Sequence, residues 1–195
     1  MYITANDLRV IRELILNKDV EACGFLLEHE NSDRLTLYLE KYGERLGPGR
    51  GSCQTSKYTK YIWHTHSHNL LEYPSPQDIY NILKWHPNNV ENNFPHTSVV
   101  FTAWGIWEIS FPHAKFTLDQ NWLHFLHKAT DRVFHGLYHI TREGLSRNAL
   151  KYIQSIVNDI QALINREPAF DNAFGMSFTA WNKIRQNSSY FLKFA

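Results

Sequence analysis

Tyr61-Ile62-Trp63-His64-Thr65-His66-Ser67-His68-Asn69-Leu70-Leu71-Glu72-Tyr73-Pro74-Ser75-Pro76-Gln77-Asp78 is the stretch from which the rest of the chain can be read. Tyr61-Ile62-Trp63 is short and apolar and reads as a strand running into His64. In an extended chain, residues two apart point to the same side, so His64 and His66 can aim ring nitrogens at one ion about 2.0–2.1 Å away. Beyond a loop, Ile79, Ile82, Leu83 and Trp85 recur at helical spacing, and Asp78 at the start of that helix can return a carboxylate to the same ion. Three protein ligands leave the fourth tetrahedral position open, the pattern of a catalytic rather than a structural zinc. A water in that position, its pKa lowered toward about 7, becomes a nucleophile near neutral pH.

Upstream of this stretch, Thr4 and Asp7 can cap a helix carrying Leu8, Ile11, Leu14 and Ile15. Ala22-Cys23-Gly24-Phe25-Leu26-Leu27 reads as a strand, and Leu35, Leu37 and Leu39 alternate with Thr36, Tyr38 and Glu40 in a second one, with a hairpin at Asn31-Ser32. Residues 43–56 are rich in Gly and read as a loop. Downstream, residues 98–111 contain two strands broken at Trp104-Gly105. From about Phe116 the pattern turns mainly helical, first over Trp122 to Phe134 and then along Leu150, Ile153, Ile156, Val157, Ile160, Leu163 and Ile164. So long an apolar stripe must bury against the rest of the chain or against a partner, and burial within the chain is the expectation. Two units follow, a core over 1–115 and a helical C-terminal extension over 116–195.

The 195 residues, 43% apolar and 20% charged, suit a globular chain of one domain with an extension. A net charge of +1 gives no case for nucleic acid, and Lys41, Arg45 and Arg50 read as a solvated loop. The N-terminus lacks a basic patch followed by an apolar run, and no apolar stretch approaches the roughly 20 residues that span a bilayer. An intracellular protein, cytoplasmic or nuclear and without a membrane partner, is expected. Cys23 and Cys53 are too few for a disulfide scaffold and match no paired-cysteine metal knuckle, so both are expected as reduced thiols.

A glutamate at the start of a Gly-hydrophobic strand, then His-Thr-His, a spacer and Ser-x-x-Asp resembles the motif of the JAMM (MPN) zinc metalloproteases. Glu21 in Glu21-Ala22-Cys23-Gly24-Phe25-Leu26-Leu27, His64-Thr65-His66 and Ser75-Pro76-Gln77-Asp78 carry the resemblance, and the order of elements agrees over roughly residues 1 to 115. It implies an α/β fold of the MPN, cytidine-deaminase-like kind, a curved mixed sheet flanked by helices. It also implies one zinc per chain held by His64, His66 and Asp78. Glu21 would be the general acid/base, and Ser75 would help hold the oxyanion. The implied reaction is hydrolysis of the amide or isopeptide bond at the C-terminus of ubiquitin or a ubiquitin-like protein, whose conjugates would be the partners.

Two departures stand out. His66 to Ser75 encloses eight residues, 67 to 74, one more than is usual in the family, whereas His68 to Ser75 encloses one fewer. The proline that usually follows the second histidine is replaced by Ser67 or Asn69. His64 with His66 is the favoured register because the strand leads directly into His64; His66 with His68 is the alternative. A noncatalytic MPN module that scaffolds an assembly through the C-terminal helices is the competing function. A larger barrel hydrolase with paired histidines is disfavoured, because too little chain follows His66. His124, His127 and Asp131 share a helix face but form no recognised zinc pattern and are expected to be ordinary helix residues. Trp104, Trp107 and Phe111 are expected in the core.

Overall fold

The computed structural model describes residues 1–17, 20–47, 50–53, 59–66, 72–85, 96–111, 120–140, 145–170 and 172–194. The chain opens on a short strand, β1 (Tyr2–Ile3), and then forms α1 (Ala5–Asn17). The cap read from the sequence is present: Asp7 N–H donates to Thr4 Oγ1 at 3.2 Å, and the Thr4 hydroxyl donates to Asp7 Oδ2 at 2.7 Å. β2 (Ala22–His29) and β3 (Ser32–Tyr42) form the expected hairpin, turning at Asn31 with φ 67°. Next come β4 (Glu44–Gly47), β5 (Arg50–Ser52), β6 (Tyr61–Thr65), α2 (Pro76–Trp85), β7 (Thr97–Phe101) and β8 (Gly105–Ser110). The chain finishes with α3 (Gln120–Ile140), α4 (Arg147–Asn165), β9 (Gly175–Ala180) and β10 (Tyr190–Phe191).

Eight strands form one mixed sheet in the order β10-β1-β3-β2-β6-β7-β8-β9, parallel at β1/β3 and β6/β7 and antiparallel elsewhere. All five residues of β6 are buried, because both faces of the sheet are covered. Tyr61 and Trp63 point into a core with Ile3, Leu8, Ile11 and Ile15, on the α1 side. Ile62 points the other way, into a core with Ile79, Ile82 and Leu83 of α2 and Ile153, Ile156 and Ile160 of α4. The stripe along α4 is thus buried within the chain, as are Trp104, Trp107 and Phe111. The sheet curls far enough that the Tyr190 hydroxyl, on one edge strand, donates to Glu108 Oε1 of β8 at 2.5 Å and lies 3.1 Å from Thr179 Oγ1 of β9, the other edge.

Residues 116–195 contribute more than helices. β9 pairs with β8 over six residues, and β10 pairs with β1. Residues 43–56, read as a loop, contain β4 and β5, which pair as a separate two-stranded antiparallel sheet. The expectation of free thiols is also corrected: Cys23 and Cys53 form a disulfide, with their Cα atoms 5.8 Å apart. Spacing along the chain could not show this. The fold-back of β4 and β5 brings the end of β5 to the start of β2. Among the described residues no helix is long and apolar enough to cross a membrane.

Candidate metal centre

His64 and His66 sit at the C-terminal end of β6, in mid-sheet between β2 and β7, and alternation turns both rings to the α2 side with Ile62. His66 N–H donates to Phe101 O at 2.8 Å, prolonging the β6/β7 pairing by one residue past Thr65 and fixing the second ring's backbone. Thr65 between them faces the opposite side. Its Oγ1 accepts from Ala22 N–H at 2.9 Å, while Gly43 N–H donates to Glu21 O at 2.7 Å. These two bonds fix the peptide unit that joins Glu21 to Ala22. Gly24 is required just beyond: a Cβ there would lie 1.8 Å from Tyr38 O, so only glycine lets β2 and β3 approach at the register shift beside Cys23.

Asp78 reaches the histidines from the first turn of α2. Ser75 and Asp78 form a reciprocal capping box: Asp78 N–H donates to Ser75 Oγ at 3.2 Å, and Ser75 N–H donates to Asp78 Oδ2 at 2.6 Å. The Ser75 hydroxyl also donates to Oδ2, at 2.8 Å. Ser75 therefore fixes the Asp78 carboxylate, with Oδ1 turned to His64. Ring nitrogens and carboxylate converge: His64 Nε2 is 3.2 Å from His66 Nε2 and 3.3 Å from Asp78 Oδ1, and His66 Nε2 is 3.6 Å from Asp78 Oδ2. Ligands about 2.0–2.1 Å from a tetrahedral zinc stand about 3.3 Å from one another. Two imidazoles and a carboxylate with these separations could hold a metal ion, and they suit a borderline one such as zinc.

Glu21 Oε1 lies 3.9 Å from His66 Nε2, close enough to share the pocket and outside the three-ligand group. Glu21, His64 and His66 are buried, with relative exposures of 8%, 9% and 4%. Burial alone would raise the Asp78 carboxyl, but the charges and hydrogen bonds of His64 and His66 outweigh it and hold Asp78 well below the usual carboxylate range. His68, the alternative ligand, lies outside the described residues. His124, His127 and Asp131 are exposed on α3 and form no metal group among the described residues.

No family model, curated protein or solved structure matches the chain.

Two contributors escaped the sequence reading. Thr65 is a small polar residue between the two histidines at the end of a wholly buried strand, which was the available signal. Glu72 is an acid inside Leu70-Leu71-Glu72-Tyr73, and it is buried behind the centre. Desolvation raises its carboxyl to about 7, against hydrogen bonds from the Ala103 and Trp104 amides and Thr102, and against the charge of His66. Its own carbonyl accepts from Trp107 Nε1 at 3.1 Å, so Glu72 is held to β8 through its backbone and to the turn before β8 through its side chain.

A pH dependence follows from Glu72. Its folded pKa is about 7 and its unfolded value about 4.5, so the native chain holds the proton more tightly than the unfolded one. This contribution to stability is complete below pH about 4.5 and is lost as pH rises through about 7, on the order of 2–3 kcal/mol across the window. Thermal unfolding of metal-free protein is expected to show a Tm difference between Glu72→Gln and the native chain that shifts toward the variant from pH 4.5 to 8. A pH-independent difference would reject the assignment.

Proposed function

We propose that the chain is a zinc-dependent isopeptidase of the JAMM (MPN) kind, cleaving the amide or isopeptide bond at the C-terminus of ubiquitin or a ubiquitin-like protein. The observation that carries this reading is the convergence of His64, His66 and Asp78 at tetrahedral spacing with the Glu21 carboxylate beside them. The motif resemblance supplies the substrate class, and the curled mixed sheet is consistent with the MPN fold.

His64, His66 and Asp78 would hold one zinc, leaving one position for exchangeable ligands. When bound, the zinc supplies Lewis-acid chemistry, polarising the scissile carbonyl and lowering the pKa of water. Glu21 accepts the proton that the attacking water gives up and returns it to the nitrogen of the departing amine, so the amine leaves neutral. Its buried position suits this, because a carboxylate with little competing water holds the proton where it will be used. Ser75 keeps the Asp78 carboxylate aimed at the histidines through two hydrogen bonds to Oδ2, and its hydroxyl can turn from Asp78 toward the developing oxyanion.

The test joins metal analysis to cleavage of a fluorogenic ubiquitin C-terminal amide. One zinc per chain is expected, with cleavage abolished by a chelator and restored by zinc. His66→Ala should lose both metal and activity. Zinc loss in His68→Ala with retention in His66→Ala would transfer the site to the other register. Protein that binds no zinc would overturn the enzyme and leave the scaffolding module.

A further inference from the structure

The disulfide occupies an unusual place. Cys23 is two residues from Glu21 and pairs directly with His64 in the β2/β6 ladder. Its partner, Cys53, follows β5 immediately. β4 leaves β3 just after Gly43, whose amide holds Glu21 O, and β5 returns to Cys23. The small sheet of β4 and β5 therefore begins and ends within two residues of Glu21 in the folded chain. It shares no ladder with the eight-stranded sheet.

The two ends of the bond are not equivalent. Cys23 is 1% exposed on a strand hydrogen-bonded on both sides, to β3 and to β6. Cys53 is partly exposed, and its Sγ lies 3.7 Å from Lys41 O, a weak contact. Loss of the bond leaves β2 in its ladders, whereas β5 keeps its pairing with β4 and loses its covalent link to the eight-stranded sheet.

We infer that Cys23–Cys53 is a redox-sensitive tether that fixes the β4/β5 sheet at the rim of the metal centre, and that its reduction releases β5 and weakens the binding of a macromolecular amide substrate. The functional half of this inference rests on the proposed hydrolase activity; the structural half does not. The step is thiol–disulfide exchange with a dithiol reductant. One reductant thiolate attacks the accessible Cys53 Sγ and expels the Cys23 thiolate, which takes up a proton. The second reductant thiol then displaces Cys53 and closes the reductant's own disulfide. Two electrons and two protons pass to the cysteine pair, and the dithiol is oxidised.

The experiment compares the native full-length chain, oxidised and after treatment with tris(2-carboxyethyl)phosphine, with Cys53→Ser; a phosphine is used because thiols bind zinc. Amide hydrogen exchange at residues 50–53 is expected to accelerate at least about tenfold on reduction, while residues 22–26 keep their protection. Zinc per chain should not change. KM for the fluorogenic ubiquitin amide should rise about tenfold with kcat within about twofold. Cys53→Ser should behave as the reduced chain without phosphine and respond no further to it. Equal exchange in the two redox states, or joint loss of protection at 22–26, would overturn the tether, the latter by making the bond a staple of the fold. Cleavage with the same KM in both states would overturn its control of the centre while leaving the hydrolase standing. An exchange shift without cleavage in either state would support the tether and sink the hydrolase.

Discussion

Glu21→Gln is expected to retain one zinc per chain and to slow amide hydrolysis by about 10²–10⁴-fold, the usual contribution of one positioned acid/base. Gln has the same shape, and the backbone around it is held by Thr65 and Gly43 whatever the side chain. What it cannot do is take a proton from water and return it. Because Glu21 lies outside the three-ligand group, metal affinity and rate should separate in this variant. Metal analysis alongside kcat/KM checks the point. If zinc were lost in proportion to activity, Glu21 would be a ligand and the assignment of the open position would fail.

Truncation after Phe111 is expected to give an insoluble or unfolded product. It removes Ile153, Ile156, Val157, Ile160, Ile164 and Met176 from the core that covers the α2 side of the sheet. At about 1.5–3 kcal/mol for each buried side chain, these six alone are worth about 9–18 kcal/mol, comparable to the roughly 5–15 kcal/mol total stability of an ordinary domain. The cut also strips the buried Glu108 of the Tyr190 hydroxyl and of the Lys193 N–H, which donates to Oε2 at 2.8 Å, leaving a raised, desolvated carboxyl in apolar surroundings. Circular dichroism and size-exclusion chromatography of residues 1–111 would decide. A folded, zinc-binding fragment would show that the later strands and helices are dispensable.

Local patterns carried much of this structure. Helical spacing of Leu8, Ile11 and Ile15, the Thr4 and Asp7 cap, the alternation along Leu35 to Glu40 and the apolar spacing along α4 each mark an element in the chain's own order. His64, His66 and Asp78 were legible for the same reason, because a period of two on a strand and a return at the next helix are local rules. What stayed hidden depends on contacts distant in sequence. β9 gains its partner from β8, some seventy residues away, and both its faces meet other elements, so Met176 and Phe178 show no clean solvent alternation. β1 and β10 are two residues each, too short for any periodicity. The disulfide needed the small β4/β5 sheet, which a Gly-rich sequence conceals. Glu72 has no local signal, because its burial comes from the turn after β7, about thirty residues away.

The pairing of Tyr2 with Phe191 gives this chain a particular order of assembly. Among the described strands β1 is made before all the others, yet one of its two neighbours, β10, is made after them. The helix α1 and the hairpin of β2 and β3 can begin to collapse early, but the curl of the sheet is latched only once residues 190–194 reach Glu108. Until then β1 stands as an open edge able to capture strands from other nascent chains. Aggregation should therefore be most sensitive to the interval before residues 190–194 are made and docked, and faster synthesis of that segment should raise the yield of folded chain.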